Sequence, residues 1–291
     1  MEWGRLIVAM ATPFDAALEL DYAKAGALAE RLVAAGNTAI VVCGTTGESP
    51  TLTKDERIRL VKEVKARVKV PVISGAGTNS TKATIEYARD AEAASADGIL
   101  LVAPYYNKPD QGMMYAHFKA VAAEVKLPVM LYNVPGRTAS TIAPDTVAKL
   151  ARDCPNIVAL KDASGDLGAM TETMLLAPAG FRVYTGEDGL LLPSLAIGAY
   201  GVVSVASHVV AAQMATLITA FLAGKYTEAA EMHRRLHEIN RTLFLQANPV
   251  PLKSALRLAG FDAGGLRPPL MTASADVTGK LEAAMKRLSL L

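Results

Sequence analysis

Ile157-Val158-Ala159-Leu160-Lys161-Asp162, the run IVALKD at residues 157–162, sets four apolar residues directly before a lysine. Four consecutive apolar residues, two of them β-branched, suit a strand buried on both faces. A lysine ending such a strand loses hydration on burial, which is costly unless something compensates. Either the long stem carries the ammonium out to water, or the protein uses an amine at that place.

Seven more runs of the same kind lie along the chain. They are RLIVAMAT (5–12), TAIVVC (38–43), PVISGA (71–76), GILLVA (98–103), PVMLYN (128–133), FRVYTG (181–186) and GVVSVA (201–206). Amphipathic helical patterns separate them, clearest in DYAKAGALAERLVAAG (21–36) and TKDERIRLVKEVKARV (53–68). In the second, Thr53 followed by Glu56 is a capping-box signature, and Ile58, Val61, Val64 and Val68 are expected to be its buried stripe. Strand and helix alternate every roughly 20–30 residues, as right-handed βαβ units require. An open doubly wound sheet satisfies the same local pattern, but eight units favour an α/β fold of the (β/α)8 TIM-barrel type. The barrel is expected over residues 1–224. Three helices, within residues 225–291, are expected as a C-terminal extension packed on it.

Composition narrows the function. With 51% hydrophobic and 20% charged residues the chain can bury a large core, and its net charge of +2 gives no electrostatic case for nucleic acid. Aromatics at 5% offer no base-stacking surface. Cys43 and Cys154 lie in separate segments without metal-ligand spacing, which fits a reduced, cytoplasmic compartment. The opening stretch MEWGRLIVAMATPFD has no basic leader, no clear cleavage site and an apolar run too short to span a membrane, so it is expected to enter the first strand directly. His233 and His237 share a helical face but lack a third ligand, and no metal is expected there. GAG at 75–77 lacks the spacing of a phosphate loop and is expected to be a tight turn.

In a barrel of this type the strand C-termini build the active face. The residues arriving there are Thr45, Thr46, Tyr105, Tyr106, Tyr132, Lys161 and Gly186, a set of hydroxyls around one amine. A buried lysine can attack a ketone to form an imine, whose protonated form is an electron sink. Only about one lysine amine in a thousand is neutral near pH 7.4, so apolar walls that disfavour the ammonium would help. Neighbouring hydroxyls can relay protons between carbinolamine, imine and water.

The motifs GTTGE (44–48), PYYN (104–107), YNVPGRT (132–138), ALKDASG (159–165) and TGED (185–188) occur in that order. Together they resemble the pyruvate-dependent class I aldolase and lyase family that includes N-acetylneuraminate lyase and dihydrodipicolinate synthase, over essentially the whole chain. YNVPGRT, with Arg137, is similar to the dihydrodipicolinate synthase branch. The resemblance implies Schiff-base condensation of pyruvate with L-aspartate 4-semialdehyde to 4-hydroxy-tetrahydrodipicolinate, on the route to diaminopimelate and lysine, with no cofactor. It implies that Lys161 forms the Schiff base, that Tyr132 relays protons, and that Thr45 links Tyr132 to a Tyr106 reaching in from a neighbouring subunit. It further implies that Thr46 contacts the pyruvate carboxylate, that Gly186 and Val203 line the keto acid through their backbone, and that Arg137 holds the semialdehyde carboxylate. A homotetramer built as a dimer of dimers is implied as well. A sister aldolase acting on a sugar acid or hydroxy-oxo acid, and a keto-acid-binding protein without turnover, are the alternatives. Lysine-inhibited members carry histidines and a glutamate where this chain has Lys54, Arg57 and Ala83. A second positive charge repels lysine's ammonium, so lysine feedback is expected to be weak or absent.

Overall fold

The computed structural model describes residues 2–291; Met1 lies outside the described residues. Eight parallel strands close a barrel in sequence order: β1 (Leu6–Ala9), β2 (Ala39–Val42), β3 (Val72–Gly75), β4 (Gly98–Val102), β5 (Val129–Asn133), β6 (Ile157–Asp162), β7 (Arg182–Thr185) and β8 (Gly201–Ser204), with β8 pairing back onto β1. The fold is the expected (β/α)8 barrel, and each strand lies within or within one residue of its apolar run. Closure is a tertiary fact: Ile7 on β1 pairs with both Ala39 and Val203.

The strand residues are almost all buried because the barrel sheet is covered on both faces. Alternation sorts them. Ile7, Val41, Ile73, Leu100, Met130, Ala159, Tyr184 and Val203 point inward and pack with Trp3 in one inner cluster. The intervening residues, such as Val8, Ile40, Leu131 and Leu160, join the larger cluster beneath the helices.

Around the barrel run α1 (Tyr22–Ala34), α2 (Lys54–Arg67), α3 (Thr81–Ala93), α4 (Gln111–Ala122), the single turn α5 (Pro135–Thr138), α6 (Pro144–Asp153), α7 (Leu167–Leu176), α8 (Leu191–Ala196) and α9 (Ser207–Leu222). The Thr53–Glu56 capping box opens α2 as its sequence predicts. Its buried stripe is shifted, however: Arg57, Leu60, Val61 and Val64 are buried, whereas Ile58 and Val68 are half-buried. Arg57 can enter because its guanidinium finds carbonyl partners there.

The tail forms α10 (Tyr226–Thr242), α11 (Val250–Leu258) and α12 (Ala275–Arg287). α10 and α11 both pack on α9 and on α12. α12 begins at Ala275, because the Ser274 side chain accepts from Val277 N and caps the helix there. His233 and His237 lie on α10, and among the described residues no three His, Cys, Asp or Glu side chains gather as a metal site. No helix among the described residues is long and apolar enough to cross a membrane.

The GAG segment is not a turn. Gly75 belongs to β3, and a Cβ there would stand 2.2 Å from the Cys43 carbonyl oxygen; at Gly77 one would stand 2.3 Å from Val102 N. The glycines let the ends of β2, β3 and β4 approach closely.

Candidate active site

Lys161 shares the inward parity of Ala159, two residues before it on β6. It stands opposite Tyr132 on β5, and its Nζ lies 4.3 Å from the centroid of that tyrosine's ring. Lys161 is only 6% exposed, so the ammonium does not escape to water. Lys161 and Tyr132 therefore face each other at the carboxyl end of the inner cluster, where this fold places its chemistry.

The neighbouring strand ends fix that geometry. Asp162 points to the other face of β6 and accepts from Ser164 N at 2.8 Å, from Ser164 Oγ at 2.5 Å and from Asn133 Nδ2 at 3.1 Å. Asn133 Oδ1 in turn accepts from Ile142 N at 3.0 Å, which pins the end of β5. Gly186 N donates to Asp162 O at 2.6 Å. A Cβ on Gly186 would lie 2.8 Å from Lys161 Cε and 2.7 Å from Ala163 Cβ. A glycine is needed there so that the lysine stem can pass. Val203, fully buried on β8, completes the inner wall.

The loop after β2 supplies the hydroxyls. Gly47 N donates to Gly44 O and Glu48 N to Thr45 O, folding GTTGE into a compact turn. Thr45 lines a small recess together with Tyr132, Gly77 and Val102. That recess adjoins a cavity of ≈ 370 Å³ lined by Thr45, Tyr105, Arg137 and Thr138 among others. Arg137 sits exposed on the turn α5, at the mouth of this cavity. Thr46 is buried and faces the tail, where its Oγ1 accepts from Asn248 Nδ2 at 2.8 Å.

Tyr106 is not brought to Lys161 by its own chain. It is 88% exposed and held at φ +74°, a left-handed conformation uncommon for a bulky residue. Tyr105, beside it, lines the larger cavity.

Two acidic residues follow Gly186. Burial pushes both the Glu187 and the Asp188 carboxyls up, and the cations of Lys161 and, for Glu187, Arg137 oppose the shift. Asp188 Oδ2 accepts from Val205 N at 3.0 Å and Ala206 N at 2.8 Å, tying the turn after β7 to the residues that follow β8. Nearby, His208 Nε2 accepts from Ala11 N at 3.1 Å, so its proton sits on Nδ1, 2.8 Å from Val205 O.

On the far side of the cavity, Arg57 donates to Gly75 O at 2.9 Å and to Ser49 O and Oγ at 2.7 and 2.8 Å, and stacks 4.5 Å from the Tyr87 ring centroid. Lys54 pairs with Asp90 at 3.1 Å, and Ala83 lies in the first turn of α3.

Sequence patterns missed the tail's part in the site. Glu48, at φ +56°, is buried against Lys253 of α11, with Nζ 2.7 Å from Oε1. This is an ion pair rather than a directed hydrogen bond. Oε1 has no aligned donor, and the ammonium donates to Gly265 O at 2.6 Å. Arg267 N donates to Glu48 Oε2 at 2.9 Å. The signal was a lysine on the apolar face of PVPLKSALRLAG, between Leu252 and Leu256.

The sequence matches the dihydrodipicolinate synthetase family over residues 2–288. It is 48% identical over 293 residues to the 4-hydroxy-tetrahydrodipicolinate synthase of Moorella thermoacetica, with all of both chains covered. It is 48% identical over 292 residues to that of Bacillus subtilis, covering 99% of this chain and 100% of the relative. Among solved structures, a dihydrodipicolinate synthase from Bacillus anthracis superposes with TM-score 0.96 at 46% identity, over 98% of each chain. One from Cyanidioschyzon merolae with lysine bound superposes with TM-score 0.98 at 44% identity, over 99% of each.

Proposed function

Because the chain belongs to the dihydrodipicolinate synthetase family, we propose that Lys161 condenses pyruvate with L-aspartate 4-semialdehyde to give 4-hydroxy-tetrahydrodipicolinate, a step toward diaminopimelate and lysine. The chain is an enzyme, a lyase like its relatives. One observation supports the lysine's role above the others: Lys161 is buried and inward-facing, opposite Tyr132, in space that Gly186 leaves open.

The neutral Lys161 amine attacks the ketone carbon of pyruvate, and the carbinolamine loses water to become a protonated imine. That cation draws electrons from the adjacent C–H bond, so the methyl group loses a proton and an enamine forms. The enamine carbon attacks the aldehyde, making the new C–C bond. The amine of the semialdehyde unit then adds to the imine carbon, closes the ring and releases Lys161. No cofactor takes part, because the imine itself is the electron sink.

Tyr132, across from Lys161, carries protons to and from the nitrogen and oxygen of these adducts. Thr45 shares its recess and continues the relay. Thr46 takes the pyruvate carboxylate, and Gly186 and Val203 bound the keto acid. Arg137, at the cavity mouth, pairs with the semialdehyde carboxylate, for which a guanidinium fork is suited.

Tyr106 reaches the relay only from a second copy of the chain. Its 88% exposure and left-handed backbone support a homo-oligomer in which each subunit lends this tyrosine to its neighbour. The expected assembly is a tetramer, a dimer of dimers, working in the cytoplasm. One relative superposing with TM-score 0.97 is described as a monomeric variant, so sedimentation velocity on this protein is the check. A sedimenting monomer with full activity would remove Tyr106 from the relay.

The decisive experiment joins two readouts. Purified protein is assayed with pyruvate and aspartate semialdehyde through a coupled reductase, and separately reduced with borohydride in the presence of pyruvate. Turnover with an adduct mapped to Lys161 and lost in Lys161→Ala is the expected result. An adduct on another residue would end the mechanism. An adduct at Lys161 without turnover would refute the semialdehyde as acceptor.

A further inference from the structure

The loop that carries Thr45 and Thr46 is held largely by the C-terminal tail. Thr12 Oγ1 donates to Gly47 O at 2.7 Å, which ties it to the segment that follows β1. Its other fastenings come from far along the sequence. Asn248 Nδ2 donates to Thr46 Oγ1 at 2.8 Å, and Glu48 is gripped by Lys253 and by Arg267 N. Thr46 and Asn248 are 2% and 6% exposed, so water does not compete for either side chain.

The polarity of the Asn248 contact has a chemical consequence. A threonine hydroxyl owns one hydrogen and two lone pairs, whereas an amide NH2 group only donates. With Nδ2 bound to a lone pair, the single Thr46 hydrogen is not used toward the tail. It stays available to an acceptor on the other side of the loop. We propose that Asn248 is a positioning residue: its amide donates to Thr46 Oγ1 and so fixes that hydroxyl as a hydrogen-bond donor to the carboxylate of the 2-oxo acid. This rests on the reading of Thr46 as a contact to that carboxylate.

The residue type fits the task. A lysine or arginine in place of Asn248 would add a charge beside Thr46, and an acid would accept the hydroxyl hydrogen and reverse the polarity. The amide donates without charge. Asn248 Oδ1 is buried with no partner among the described residues, so the amide's one directed bond is the donation to Thr46. The ion pair of Glu48 and Lys253 keeps the loop from moving away when Asn248 is changed, so its effect can be read separately.

The test is a cycle of two near-isosteric variants, Asn248→Leu and Thr46→Val, assayed for the KM of pyruvate, the KM of the semialdehyde and kcat. Asn248→Leu is expected to raise the pyruvate KM by about tenfold, the scale of one hydrogen bond to a charged group. The semialdehyde KM and kcat should change less than about threefold, because the Thr46 hydroxyl is read as touching only the pyruvate carboxylate. Thr46→Val should raise the pyruvate KM at least as much. The double variant should be no worse than Thr46→Val alone, because Asn248 acts only through the hydroxyl. Asn248→Ala serves for the same comparison if the leucine variant does not fold.

Additive effects in the double variant, or a fall in kcat as large as the rise in KM, would overturn the proposal. Asn248 would then be a structural support of the whole loop. If Thr46→Val itself left the pyruvate KM unchanged, the reading of Thr46 would fall, and this inference with it. If Thr46→Val raised that KM while Asn248→Leu did not, only the role of Asn248 would be wrong.

Discussion

Lys161 and Tyr132 stand directly across from each other on β6 and β5, with the lysine Nζ 4.3 Å from the centroid of the tyrosine ring. The pairing puts an amine and a phenol at the same height of the barrel wall, both buried and both directed inward. The nucleophile and proton carrier of the proposed mechanism would thereby be set by strand register. A one-residue slip of β6 would turn Lys161 out under the helices.

Gly186→Ala tests how closely the walls follow the lysine. The new methyl would meet Ala163 Cβ at 2.7 Å and Lys161 Cε at 2.8 Å. The lysine end can move, but Ala163, directly after β6 and bonded through its N–H to Asn133 O, cannot without moving the end of that strand. A stability loss of about 1–3 kcal/mol is expected from overpacking, with a larger loss in the rate of borohydride-trapped adduct formation. Wild-type trapping kinetics would show that the glycine is not needed.

Arg137→Ala should act on the second substrate alone. Its place at the cavity mouth predicts a rise in the semialdehyde KM of about ten- to hundredfold, as loss of a charge-assisted carboxylate contact gives. The pyruvate KM and the trapped adduct should be unchanged. Equal effects on both substrates would remove the assignment.

The buried histidines set an acid limit on stability. Burial pushes His117 and His208 down to about 4 from the ordinary 6.5. Above the ordinary value neither folded nor unfolded chain carries these protons, and the full stability is present. As pH falls from about 6.5 toward 4, the unfolded chain takes up protons that the folded chain refuses. Stability declines by up to about 3 kcal/mol per histidine. Glu187 and Asp188, pushed up by burial, act with the opposite sign. Urea unfolding at pH 7 and pH 4.5 should therefore show a fall that becomes shallower in His208→Gln. An unchanged slope in that variant would contradict the assignment.

Lys253→Met leaves the Glu48 carboxylate buried without its cation. Breaking one side of a buried pair costs about 3–5 kcal/mol, read as a lowered urea midpoint. The double variant Lys253→Met with Glu48→Gln should recover part of that loss, because no charge is then left unpaired. No recovery would mean that packing around the lysine stem, not charge, carries the effect.

Lysine itself is expected to leave the rate unchanged. The Arg57 guanidinium already occupies Ser49 and Gly75, and Lys54 is paired with Asp90. A further ammonium would enter beside two cations, with alanine at position 83 where an acidic partner is absent. Titration with lysine at subsaturating pyruvate is the check, and half-inhibition below the millimolar range would refute it.

Much of the molecule can be read from its letters. Eight apolar runs fix eight strands because a strand covered on both faces must be apolar along its length. Period-two alternation sends Lys161 the same way as Ala159. Thr53 and Glu56 mark the start of α2 through bonds that span three residues. The motif order adds the chemistry, since hydroxyls and an amine at successive strand ends converge wherever the strands are parallel.

Tertiary structure decided the rest. Closure depends on β8 finding β1, a pairing that leaves no local trace. Gly75 and Gly77 read as a turn but serve close approach between strands, which only the neighbouring chain segments reveal. The buried stripe of α2 admitted Arg57 because carbonyls from another loop and strand met its guanidinium. The grip of Asn248 and Lys253 on the GTTGE loop joins residues about two hundred positions apart. Local patterns record what each segment prefers by itself. Which polar groups will be buried together is fixed only when distant segments meet, and there the cost of burying a charge or an amide decides the pairing.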